Sequence, residues 1–141
     1  MEVYNACRSS FIDELKKLDG IMNLYVSGHS LGAALSVLAM PDVFKATQFK
    51  KPTVYNFGCP RVGDNNFVTS YNGLSGPKTF RIVNSSDLVP SVPPPAIPVP
   101  APGYYYSHVD VPVEFNVQYN DVGKNHSMKT YLAELKKKLP S

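Results

Sequence analysis

Cysteine is scarce in this chain: only Cys7 and Cys59 occur among 141 residues. Neither has metal-ligand spacing or a reason to meet the other, so free or buried thiols are expected rather than a disulfide framework or a metal site. Long apolar runs are missing too. Nothing approaches the ~20 residues needed to span a bilayer, so no transmembrane segment is expected. No charged leader followed by an apolar core opens the chain, which leaves a soluble protein of unknown compartment as the expectation. Charge is sparse at 18% of residues, and 14 Lys+Arg against 11 Asp+Glu leave a net +3. Part of that excess is the lysine run at 136–138, which reads as a solvated helix end and gives no footing for nucleic acid.

What remains, 43% of it hydrophobic, fits one domain over 1–141 with a real core and no internal repeat. Val3, Cys7, Phe11, Leu15 and Leu18 recur at helical spacing and predict an amphipathic helix over about 3–19. "NLYVSG" predicts a short buried strand, and the alanine-rich stretch from Leu31 to Phe44 a helix broken near Pro41. Further strands are expected at 52–58, at 78–84 and in "HVDVPVEFNV", with a short helix in "GDNNFVTSYNGLSGP". Val89 to Pro102 is so rich in proline that an extended surface loop is expected there, without helix or strand. Met128, Leu132, Leu135 and Leu139 mark the apolar face of a closing helix. Alternating helices and strands of this kind imply an α/β layered fold around a largely parallel sheet.

Gly28-His29-Ser30-Leu31-Gly32 falls where the first strand gives way to a helix. A serine at such a turn is held in a strained backbone conformation, and both flanking glycines are expected to be needed because neighbouring backbone passes too close for a side chain. The hydroxyl is thereby raised above the sheet, with the backbone N–H of Leu31 and the positive helix end placed to stabilise an oxyanion. A serine hydroxyl is a poor nucleophile until a base takes its proton, and an acid must orient that base. His29 lies inside the turn and would point away from its neighbour's hydroxyl, which leaves a packing and hydrogen-bonding role. His126, in "GKNHSMKTYL" just before the last helix, is the preferred base; His108, at a strand start in "YYYSHVDV", is the alternative. Asp87 follows a strand end in "RIVNSSDLVP", where parallel sheets present functional groups, and is the preferred acid over Asp110 and Asp121. The order Ser30, Asp87, His126 is that of α/β-hydrolases.

Five blocks, "VSGHSLGAALSVLAM", "NFGCPRVGDNNF", "RIVNSSDLVPSVPP", "GYYYSHVDVPVEF" and "NHSMKTYL", resemble the class 3 lipases in content and order. The resemblance implies a partial α/β-hydrolase fold, with Ser30 as nucleophile, Asp87 as acid and His126 as base. His108 aligns with a histidine that the family keeps near the site without using it as base. It also implies a lipid or other ester substrate, transient contact with a lipid interface, and no metal or cofactor.

One departure stands out: nothing in residues 1–22 resembles the family's early strands, its second oxyanion donor or its helical lid. The expectation is therefore a truncated class 3 lipase-like domain. It would act as a serine hydrolase on acylglycerols or other lipid esters, or as a phospholipase or small-ester esterase with the same triad. The alternative is a catalytically silent remnant that binds a partner.

Overall fold

A computed structural model of the chain describes residues 2–20, 23–97 and 104–138. Helix α1 (Glu2–Lys16) leads to strand β1 (Tyr25–His29), helix α2 (Leu31–Ala46), β2 (Thr53–Phe57), α3 (Asn65–Asn72) and β3 (Lys78–Asn84). After a 3₁₀ turn at Val89–Ser91 come β4 (Ala96–Ile97), β5 (Tyr104–Tyr105), β6 (Pro112–Phe115), α4 (Val122–His126) and α5 (Met128–Lys136). The main sheet runs β1-β2-β3-β6, with every neighbouring pair parallel. Parallel strands must be joined by crossovers, and α2 and α3 serve between β1 and β2 and between β2 and β3. The carboxyl ends of all four strands therefore lie along one edge, where loops can assemble a site.

Helix α2 covers one sheet face. Ala33, Val37, Met40 and Val43 have no exposed surface and pack with Val54 of β2, while Ala33, Ala34 and Ala39 let the helix come close to the strands. The helix runs unbroken through Pro41, contrary to the sequence expectation. Proline forfeits one i→i−4 bond, and burial of Val37, Met40 and Val43 around it outweighs that loss.

Helix α1 docks on α2 through a face rotated from the predicted one. Tyr4, Ile12 and Leu15 are buried, whereas Val3 and Leu18 are 58% and 48% exposed and Cys7 is exposed. Polar anchoring decides the rotation. The Tyr4 hydroxyl donates to Asp42 Oδ2 at 2.6 Å, and the Arg8 guanidinium grips both Asp42 oxygens at 2.7 and 2.6 Å.

The last helix departs in the same way: Thr130 and Tyr131 are buried, while Met128 and Leu132 are exposed, and Leu139 lies outside the described residues. The proline-rich stretch is also more ordered than expected. It contains the 3₁₀ turn, and Ala96–Ile97 pairs antiparallel with Tyr104–Tyr105, while 98–103 lie outside the described residues. Cys59 is buried and its thiol is pushed up to about 12 by desolvation, so it is inert packing.

Candidate active site

Ser30 sits between the last residue of β1 and the first of α2 with φ 58° and ψ −124°, a conformation an L-residue holds only under constraint. The constraint is visible. Its N–H donates to the Phe57 carbonyl at 3.0 Å, and its own carbonyl accepts from Ala33 and Ala34 at 3.0 and 3.2 Å. A serine at this position ordinarily caps the helix with its hydroxyl. Here the hydroxyl makes no capping bond, so it is left available for chemistry. The N–H groups of Leu31 and Gly32, first in α2, have no intrahelical acceptor and form the positive end of the helix.

The two glycines of the turn have different reasons to be there. A Cβ on Gly28 would lie 2.4 Å from the Gly32 carbonyl oxygen and 2.6 Å from the Ala33 nitrogen, so glycine is obligatory. A Cβ on Gly32 meets nothing within 4 Å. The expectation that both are required by crowding holds for Gly28 and fails for Gly32, because the backbone turns back onto β1 and not onto the outer side of α2.

Asp87 and His126 meet at the carboxyl edge of the sheet. His126 Nδ1 lies 2.7 Å from Asp87 Oδ2, with the carboxylate side chain wholly buried. The carboxylate is fixed by two further donors: the Tyr131 hydroxyl to Oδ2 at 2.8 Å and the Val89 N–H to Oδ1 at 2.9 Å. With Nδ1–H directed at the carboxylate, neutral His126 carries its lone pair on Nε2, as a base must. That nitrogen is buried and has no hydrogen-bond partner among the described residues. His29 Nε2, facing a carbonyl and therefore the donor, bonds the His126 carbonyl oxygen at 2.7 Å, and the two rings lie 4.4 Å apart, tilted by 30°. His29 thus braces His126 from within the serine turn.

The alternative residues lie in other roles. His108 Nε2 bonds the Pro90 carbonyl at 2.8 Å, and burial, then the Arg81 charge, lower its pKa to about 4. Asp121 accepts from the Lys124 N–H and caps α4. Asp110 is exposed at a positive-φ position, its N–H bonded to Asn72 Oδ1.

Two residues of the site escaped sequence reasoning. Tyr131 is fully buried. Its oxygen accepts from the Asn84 N–H at 3.2 Å while its hydroxyl donates to Asp87, and burial raises its pKa well above the ordinary tyrosine value. Only its position five residues after His126 hinted at this. Gly58 has φ 56°, and a Cβ there would lie 2.9 Å from both Asp87 Oδ2 and His126 Cε1. The "FG" at the end of β2 was its only signal.

The family profile described as Lipase (class 3) matches residues 1–96. The chain belongs to the class 3 lipase family. Among class 3 lipase relatives, it is 34% identical over 118 residues to phospholipase A1-II 4 of Oryza sativa subsp. japonica, covering 77% of this chain and 28% of that protein. It is 33% identical over 107 residues to a secreted mono- and diacylglycerol lipase of Malassezia globosa, covering 74% and 35%. Solved structures agree. The lipase from Rhizopus microsporus var. chinensis superposes with a TM-score of 0.58 at 33% identity over 66% of this chain and 34% of its own. The triacylglyceride lipase of Rhizomucor miehei gives 0.58 at 29% identity over 84% and 42%. The four parallel strands are thus part of an α/β-hydrolase fold, and the chain spans between about a quarter and two fifths of these proteins. Among the described residues no group of three His, Cys, Asp or Glu is placed to hold a metal, and no helix is long and apolar enough to cross a membrane.

Proposed function

We propose that this chain carries the acyl-transfer centre of a lipid ester hydrolase. Ser30 Oγ attacks the ester carbonyl carbon while His126 Nε2 takes its proton, and the carbonyl electrons pass to an oxyanion held at the Leu31 N–H. Collapse of the tetrahedral intermediate expels the alcohol, which takes the proton from His126 and leaves an acyl-Ser30. Water, deprotonated by the same nitrogen, then releases the carboxylic acid and restores the serine. Asp87 keeps the imidazole in the Nδ1–H tautomer and stabilises its cation.

The observation that carries this reading is the Ser30 backbone, strained at φ 58° with its hydroxyl unused as a cap, on the same sheet edge as the Asp87–His126 pair. Ser30 Oγ and His126 Nε2 do not hydrogen-bond at rest, so the first step closes that gap; such bonds commonly tighten only with substrate bound. The names of the relatives favour acylglycerols or phospholipid esters as substrate class. A fluorophosphonate ester, which reacts only with an activated serine, tests the reading. Wild type should label at one site and Ser30→Ala should not, with unchanged circular dichroism. The unpartnered Nε2 also favours the second reading, a silent binding module. An unlabelled, folded wild type would establish that one.

A further inference from the structure

On the opposite sheet face from His126, a cavity of about 320 Å³ lies between β3, β6 and the loop after Asp87. Arg81, in β3, projects into its lining and is only 5% exposed; Arg61 and His108 line it as well. Neither guanidinium makes an ion pair among the described residues. Backbone oxygens hold them instead: Arg81 Nε donates to Val109 O at 2.6 Å and its Nη2 to Asp110 O at 3.3 Å. Arg61 Nη1 donates to the carbonyls of Ser91 and, at 2.8 Å, Pro93. A guanidinium carries five N–H donors, so most donors on each remain unclaimed by protein. The nitrogens without any protein partner among the described residues, Arg81 Nη1 and Arg61 Nε and Nη2, are not sealed from solvent.

A buried guanidinium without a counter-charge is costly unless something anionic answers it. Among the described residues no acidic side chain pairs with either guanidinium, although Asp110 and Glu114 act on Arg81 through space. Asp87 is wholly buried, with both oxygens taken by His126, Tyr131 and Val89, and Glu114 is exposed and unpaired with either arginine. His108 stands beside them: its Nε2 donates to the Pro90 carbonyl, and burial first, then the Arg81 and Arg61 charges, keep it neutral.

We propose that the cavity between Arg61, Arg81 and His108 binds a compact oxyanion, a phosphate or a short carboxylate, on the free N–H donors of the two guanidiniums. Planar forks suit both ligands by paired N–H···O bonds. This site is separate from the proposed nucleophile and stands whether or not the chain hydrolyses esters.

The test is calorimetric titration of the 141-residue chain with sodium phosphate and, in a second arm, sodium acetate, at ionic strength held constant with chloride. Saturable one-site binding in either arm is expected, and the tighter arm identifies the ligand class. Arg61→Gln should weaken it about tenfold, as loss of a charge-assisted contact does. Glu114→Gln, at an exposed strand position, should tighten it roughly two- to fivefold by removing a like charge from the rim. Because the second change gains affinity without disturbing the loop that Arg61 holds, misfolding of the first variant cannot decide the matter. Absence of saturable heat in both arms, or affinity unmoved by Glu114→Gln, overturns the proposal.

Discussion

Two halves of one sheet face differ sharply. Towards the carboxyl ends of the strands, Phe57, Ile82, Asn84 and Phe115 lie beneath α4 and α5, with the Tyr131 ring edge-on to Phe57 and Phe115 at 6.2 and 5.2 Å. Towards the amino ends, Tyr25, Tyr55, Phe80 and Val113 are 65%, 38%, 39% and 41% exposed, and Tyr55 stacks on Phe80 at 5.3 Å in the open. Large apolar side chains line both halves of this face. Only the half that carries Asp87 and His126 is covered by the described residues. Order at the site is therefore produced by short, polar-anchored helices that bring Asp87, His126 and Tyr131 together, and not by the sheet's apolar content.

That comparison can be broken from its strongest side. Gly58→Ala should have the largest effect, because it puts a methyl 2.9 Å from both Asp87 Oδ2 and His126 Cε1 at a positive φ. Esterase activity should fall by about 10² or more while the sheet survives, since the acid–base pair cannot keep its geometry. Unchanged turnover would show that the pair is not the working centre. Met40→Ala, in the fully buried face against α2, should cost about 2–5 kcal/mol in urea denaturation and leave the residual activity per folded molecule intact.

Tyr131→Phe removes one donor from Asp87 and one acceptor from Asn84 without changing the ring packing. A stability loss of about 1–2 kcal/mol is expected. Esterase turnover per folded molecule should fall as well, because the carboxylate that orients His126 loses one of its anchors. Loss of stability with unmoved turnover would reduce Tyr131 to packing. His108 supplies a smaller, pH-dependent effect. Its native value near 4 lies below the ordinary 6.5, so between the two the unfolded chain binds the proton and the native chain does not. Its contribution is complete above the upper value and is lost as pH falls towards the lower one. His108→Asn should accordingly flatten the decline in urea midpoint between about pH 7 and about pH 5. Smallest of all, Tyr55→Ser or Phe80→Ser in the open half should change stability by no more than about 0.5 kcal/mol. A loss of several kcal/mol there would mean that the exposed half is packed after all.

Much of the site was legible in the sequence because its chemistry is tied to short, position-specific signals. Gly28 before Ser30, Asp87 past a strand end and His126 ahead of the final helix each follow from what a turn or a strand end must contain. Helix faces were less legible. In α1 two apolar stripes compete, and the choice of Tyr4 and Ile12 over Val3 and Cys7 follows from the Asp42 anchor, a contact across 38 residues that periodicity does not carry. In α5 a polar-headed tyrosine and a threonine displace Met128 and Leu132 from the buried face, because the Tyr131 hydroxyl has a charged partner waiting. Gly32 misled for the opposite reason: its motif position implied crowding, and the space beside it is open.

The central claim is that Ser30 is activated by His126 held on Asp87, and not by the chain's other histidines. The rate of fluorophosphonate labelling at Ser30 in wild type, His126→Ala and His108→Ala, each verified as folded, tests it most directly. Loss of a general base should slow His126→Ala by about 10² or more, while His108→Ala stays within about threefold of wild type. Equal rates for wild type and His126→Ala, or equal losses in both variants, would contradict the account.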